Sequence, residues 1–341
     1  MNKEYKTEPM PDLTFGTYRG APDFQTDDIY RNSLELAIKN GIKRIDTAIN
    51  YRNQRSEKVI GDLLKSNEDL RLIISTKGGF ISDCDESSQE IKLIHSLKRP
   101  NIIADGNHCI ETEFIFYQLN KSIENLGLKS IDIYYLHNPE AQLLINNHET
   151  LIEKIYSVFE LFENSVSQGL IKSYGIASYY GFRASRDDRC YLSLSELNNL
   201  AIKVGGKRNH FKWIMVPYNL YMTEIETSDN QTHKGSKCSL LSAAHRLGKK
   251  IVVVSPFFHN NFPKTTRQLL NNYDLTEKNI TRKVLYKYAL TITSQLPYIN
   301  SICIGMINET HILQNIRLLK SLTKSKHNKK FSKTKVSNVQ V

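Results

Sequence analysis

Eight short apolar runs, alternating with longer stretches of helical period, constrain this chain more than any other feature. They occupy 13–16, 44–47, 72–76, 131–136, 174–177, 213–216, 251–254 and 302–304. Each is brief and flanked by turn residues, as strands of a buried parallel sheet are. Between them lie amphipathic stripes: Tyr30, Leu34, Ala37 and Ile38; then Phe116, Leu119, Ile123 and Leu126. Two more come after these, Ile155, Phe159, Phe162 and Val166, then Leu197, Leu200, Ala201 and Val204, the last opened by a capping-box pair, Ser193 and Glu196.

A recurring junction ties helix to strand. Gly41, Gly127, Gly169 and Gly248 each stand shortly before an apolar run, with lysine close behind. Glycine suits the left-handed residue that ends a helix, and lysine suits the helix's negative end. Eight such units over about 310 residues predict an α/β chain folded as a single-domain (β/α)8 TIM barrel. A doubly wound open sheet competes, but it announces a dinucleotide site by a glycine-rich turn after its first strand. The segment from Phe15 to Gly20 lacks that spacing. Two strand-to-helix loops are long, 78–111 and 257–281, and in a barrel such loops lie on the catalytic face.

Composition narrows the class. A hydrophobic content of 40% supports a large core, and no run of about 18 apolar residues suggests a membrane span. The polar first eleven residues lack a secretory signal's apolar centre, and the five cysteines share no close spacing, so neither a disulfide framework nor a zinc site is indicated. A reducing cytoplasm is the expected setting. The net charge of +11 hints at nucleic acid, but seven of those charges are the lysines between Lys320 and Val341, leaving +4 for the remainder. The barrel is therefore expected over 1–320, with 321–341 a basic disordered tail, either solvated or touching an anionic surface. A nucleic-acid partner is not expected, and oligomeric state is not legible.

Chemistry-bearing residues fall where strands end. Asp46 closes one run with Tyr51 five residues on; Lys77 and His137 close two others. A barrel gathers such ends around one mouth. Tyrosine is a weak acid, with a reference pKa of about 10. An ammonium group such as Lys77 would stabilise its phenolate and lower that value. Asp46 can hold the lysine, and His137 can hydrogen-bond a carbonyl oxygen. Tyr51 would then give a proton as hydride reaches carbon, and since no side chain supplies hydride, a nicotinamide cofactor is implied. Each residue also has a plainer role: helix cap, packing aromatic, solvated lysine, structural histidine. Asp46 and His137 could be metal ligands, although no second histidine stands at another strand end.

The segments Asp46-Thr47-Ala48-Ile49-Asn50-Tyr51, Ser75-Thr76-Lys77 and Tyr135-Leu136-His137 resemble the catalytic motifs of aldo/keto reductases, in the family's order. The resemblance spans roughly 12–320 and implies a (β/α)8 barrel that reduces a small carbonyl compound with NADP(H), or with NAD(H). Asn107-His108-Cys109 and His137-Asn138-Pro139-Glu140 resemble a less-characterised branch. By the same likeness Gly16, Thr17 and Ser178 approach the nicotinamide, Ser255 the pyrophosphate, and His311, Gln314 and Asn315 the adenosine. Several positions depart from the family pattern. Ala177-Ser178 replaces a Ser-Asn pair, Met215 a glutamine, Val254 a tyrosine, Gly305-Met306 a Lys-Ser contact, and His311 an arginine. An arginine fork is the usual partner of a 2′-phosphate, so its absence weakens the NADP preference. An enzyme is the first expectation; a cofactor-binding regulatory subunit with little turnover is the alternative that these departures raise.

Overall fold

The computed structural model describes residues 10–67, 69–82, 85–257 and 282–328. All eight apolar runs are strands: β1 (Asp12–Gly16), β2 (Arg44–Asp46), β3 (Ile73–Gly78), β4 (Ile133–His137), β5 (Tyr174–Ala177), β6 (Phe211–Pro217), β9 (Lys250–Val254) and β10 (Ile299–Gly305). They pair in parallel and close into a barrel when β1 meets β10, with Gly16 opposite Gly305. A small antiparallel hairpin, β7 (Gln231–His233) and β8 (Ser236–Cys238), lies outside it.

The two-residue period of a strand divides the core into two layers. Ile133, Tyr135, Ala177, Trp213, Met215, Val252 and Cys303 fill the barrel interior. Their strand neighbours, such as Tyr134, Leu136, Ile176 and Ile214, pack outward into the larger cluster shared with the helices. Gly175 is needed for that filling: a Cβ there would lie 2.8 Å from the Tyr135 ring and 2.3 Å from the Trp213 carbonyl oxygen. The inward parity also decides which side chains reach the mouth, since it runs from Ile133 through Tyr135 to His137 and from Ser75 to Lys77.

Gly41, Gly127, Gly169 and Gly248 all take positive φ, between +62° and +98°, so each junction is the left-handed turn its sequence predicts. Ser193 accepts a hydrogen bond from Glu196 N and caps its helix, but the Glu196 carboxylate turns to His148 instead of completing the box. One predicted stripe needs correction. Phe116 is 40% exposed, while Phe114, Ile115, Leu119 and Leu126 are buried with Gln118 and Ser122. Counting only apolar residues rotates that face away from its buried polar members. Gln118 belongs inside because it bridges Gly79 N, the Phe80 carbonyl and Glu90 of the long loop. The final helix, Glu309–Asn328, continues past residue 320. Residues 329–341 lie outside the described residues, as does most of the 257–281 loop. No helix among the described residues is long and apolar enough to cross a membrane.

Candidate active site

A cavity of about 1420 Å³ opens at the C-terminal ends of the strands. Ligand sites commonly span about 300–1,000 Å³, so this one has room for two molecules side by side. Asp46, Tyr51, Lys77 and His137 all line it. So do Gly16, Thr17, Ser178 and Ser255, and, at the far end, His311, Gln314 and Asn315. The eleven residues assigned from the sequence to catalysis or cofactor binding therefore face one space.

Lys77 organises the mouth. Its Nζ donates to Asp46 Oδ2 at 2.6 Å and to the Thr47 carbonyl at 2.6 Å, and it stands 4.8 Å from the centroid of the Tyr51 ring. An ammonium group has three hydrogens and no lone pair, so it cannot accept the Tyr51 proton, which stays available to a ligand. Asp46 is fixed from its other side by Ser75, whose Oγ donates to Oδ1 at 2.7 Å. Burial works against the Lys77 charge, yet Asp46 and Tyr51 beside it hold its pKa above the ordinary lysine value.

Tyr51 is delivered by a tight turn. Arg52, Asn53 and Gln54 come next in the left-handed region, with φ of 53°, 52° and 67°. Such a run persists only when its surroundings over-determine it. Here the buried Arg52 guanidinium binds Asp27 at 2.5 Å and the Ala21 carbonyl at 2.8 Å. The net effect on Tyr51 differs from the sequence-based expectation. Burial pushes the phenol up to about 12, outweighing the ammonium group that pulls it down. At neutral pH Tyr51 is therefore a fully protonated donor. His137, its ring centroid 6.2 Å from that of Tyr51, is held well below the ordinary histidine value by burial and then by the Lys77 charge, so it is neutral. Its buried Nδ1 has no hydrogen-bond partner among the described residues. A buried lone pair is tolerated better than an orphaned N–H, which places the ring proton on Nε2.

The ends of β4 and β5 are stapled together by residues just after His137. Asn138, at φ 44°, donates its N–H to the Ala177 carbonyl at 2.6 Å and accepts from Tyr179 N at 3.0 Å. Buried Glu140 accepts at one oxygen from Ser178 Oγ (2.8 Å), Tyr180 N (3.0 Å) and Gly181 N (3.2 Å). Burial raises its carboxyl above the usual range, with those donors opposing. Ser178 has thus committed its proton, and its oxygen, which already accepts from Phe182 N at 3.4 Å, offers a ligand one further lone pair. The Thr17 hydroxyl is likewise tied, donating to the Asp46 carbonyl at 3.2 Å.

At the opposite end, Asn308 caps the last helix through His311 N, and His311, Gln314 and Asn315 present one face to the cavity. Gly305 leaves open space: a Cβ there would find only the Gly16 carbonyl, 3.9 Å away. Lys287 and Arg317 also line the cavity, so it carries basic side chains although His311 stands at the expected arginine position. Neither has a signature in the sequence, because each reaches the cavity from a helix flank rather than from a motif. Asn50 and Asn107 line the cavity too, each with a buried Oδ1 that has no partner among the described residues.

The aldo/keto reductase family model matches residues 12–189, more than half of the chain. Aldose reductase C of Dictyostelium discoideum is 28% identical over 184 residues, covering 50% of this chain and 49% of that protein. The D-threo-aldose 1-dehydrogenase of a Pseudomonas species is 28% identical over 182 residues, 50% of each. The chain spans about half the length of the curated relatives it matches. Among solved structures, an aldo-keto reductase from Bacillus halodurans in its holo form has a TM-score of 0.63 at 16% identity, covering 94% of this chain and 92% of that one. An aldo/keto reductase from Klebsiella pneumoniae in complex with NADP and acetate has a TM-score of 0.60 at 16% identity, covering 96% and 94%. These structures share the fold. The family match contains Asp46, Tyr51, Lys77 and His137 and ends before Ser255 and the last helix.

Proposed function

The chain belongs to the aldo/keto reductase family, and from that premise we propose that it is a cytoplasmic oxidoreductase reducing a small aldehyde or ketone to an alcohol with NADPH. The observation that carries this reading is the Lys77 ammonium group, bound to Asp46 and Thr47 and set 4.8 Å from the Tyr51 ring centroid, where it cannot accept the phenol's proton, in a cavity that Tyr51 shares with a neutral His137. When bound, the nicotinamide supplies a hydride to the carbonyl carbon. Tyr51 gives its proton to the carbonyl oxygen, and the resulting phenolate rests against Lys77, whose charge Asp46 and Ser75 hold in place. His137 Nε2–H holds and polarises the same oxygen.

The cavity fits such a cofactor. Ser178 would accept from a carboxamide N–H and Ser255 would hold a pyrophosphate, while Gly305 puts no side chain in the way. Gln314 and Asn315 suit an adenine edge. Lys287 and Arg317 bring two basic side chains to the same cavity, which suits the 2′-phosphate of NADPH. The Klebsiella protein of the same fold is seen with NADP.

Mixing the purified protein with NADPH or NADH and a panel of aldehydes and ketones tests the reading. Turnover with NADPH on at least one carbonyl is expected. Arg317→Ala should weaken NADPH binding about tenfold, or ~1.4 kcal/mol, with NADH affinity changed less than twofold. Equal losses for both cofactors would remove the phosphate contact from the account.

A further inference from the structure

The long loop after β3 carries a second histidine behind the first, and we propose that His108 is a positioning residue that fixes His137 for the carbonyl oxygen. The proposal rests on the reductase reading above. His108 is fully buried and stands within hydrogen-bond reach of the His137 backbone.

The hydrogen bonds determine which of its nitrogens carries the proton. Gln142 Nε2 lies 3.0 Å from His108 Nδ1 and donates to the His108 carbonyl at 2.9 Å, while Gln142 Oε1 accepts from Asn146 at 3.2 Å. The amide's acceptor side is therefore occupied by Asn146, and its two hydrogens both point at His108. Nδ1 must accept. A neutral imidazole then has its hydrogen on Nε2, which donates to the His137 carbonyl at 2.7 Å. Burial keeps the ring neutral, pushing its pKa down to about 4, with the His137 carbonyl opposing.

Packing completes the support. The Phe80 ring sits edge-on to both imidazoles, its centroid 4.8 Å from His108 and 4.9 Å from His137. Gly79, at φ 142°, allows the close approach: a Cβ there would lie 2.9 Å from the His137 carbonyl oxygen and 3.2 Å from His108 Nε2. The His137 ring needs this external support because its own Nδ1 has no hydrogen-bond partner among the described residues. Where a functional imidazole is ordinarily oriented through its second nitrogen, this one is held by its carbonyl and by an aromatic edge.

Three measurements decide the matter: kcat and KM for a carbonyl substrate, NADPH affinity by fluorescence titration, and 15N spectra of the histidines. His108→Leu is expected to lower kcat/KM for the carbonyl about ten- to a hundredfold, leaving NADPH affinity within twofold. His108→Gln keeps a donor near the Nε2 position and should recover most of that loss. In the unmodified protein His108 should show a neutral, Nε2-protonated ring that does not titrate between about pH 5 and 8. The His137 ring signals should broaden or shift in the Leu variant and not in the Gln variant. A folded Leu variant with kcat/KM within threefold of the parent overturns the proposal, as does a Gln variant equally impaired. Should the Leu variant not fold, an Nδ1-protonated or titrating His108 in the parent overturns it instead. A parent that reduces no carbonyl sinks the reductase reading, and the spectra still decide whether His108 positions His137.

Discussion

Tyr51→Phe should lower carbonyl reduction about 10²- to 10⁴-fold while NADPH binding stays nearly unchanged. The expectation comes from what the lysine can and cannot do. Lys77 donates to Asp46 and Thr47 and cannot accept the phenol's proton, so removing the hydroxyl takes a proton donor from the cavity and leaves the lysine's bonds to Asp46 and Thr47 intact. The pH profile sharpens the test. A proton donor works only while protonated, and burial has pushed Tyr51 up to about 12 in the free protein. Because kcat/KM reports groups of the free enzyme, its alkaline fall should lie above the ordinary tyrosine value of about 10. Stopped-flow or steady-state rates across that range check it. A fall centred near pH 7, or a Phe variant retaining a tenth of the activity, would remove Tyr51 from its role.

The second large effect is on stability as well as rate. Lys77→Met leaves Asp46 as a buried carboxylate with Ser75 but no cation, and leaves the Thr47 carbonyl without its donor. Breaking one partner out of a buried ion pair typically costs about 3–5 kcal/mol. Urea unfolding should show a loss of that order together with loss of turnover. Adding Asp46→Asn removes the stranded charge and should recover part of the stability without recovering activity. If the single variant unfolds within about 1 kcal/mol of the parent, the pair is not the buried anchor described here.

Much of this architecture is written locally. The two-residue strand period places Ile133, Tyr135 and His137 on one side, so the inward end of β4 can be read directly from its sequence. Four helix-ending glycines set the junctions in the same local manner. The four mouth residues are legible because Asp46, Lys77 and His137 stand at strand ends and Tyr51 follows five residues after the first of them, and barrel closure then brings them together. Long-range polar bonding escapes the sequence. Glu140 reaches Ser178, and His108 reaches the His137 carbonyl, across 38 and 29 positions of chain, through buried hydrogen bonds that no periodicity encodes. Gln118 misleads for the same reason, since a polar residue on a buried face moves the expected stripe onto exposed Phe116. Arg317 lies about a turn and a half beyond His311 on the last helix, outside the spacing of a single helix face, yet both line the same cavity. The direction of the Tyr51 shift is hidden because the charge of Lys77 is visible in the sequence and the depth of burial is not.

Hydride delivery to a carbonyl in this cavity is the central claim, and isotope transfer tests it most directly. NADPH carrying deuterium at both C4 positions of the nicotinamide, incubated with the protein and a carbonyl substrate, should yield an alcohol carrying one deuterium on the former carbonyl carbon. Mass spectrometry reads that label, and Tyr51→Phe should suppress it. Cofactor consumed with no deuterium in the alcohol, or no alcohol from any carbonyl offered to folded, cofactor-bound protein, would contradict the account.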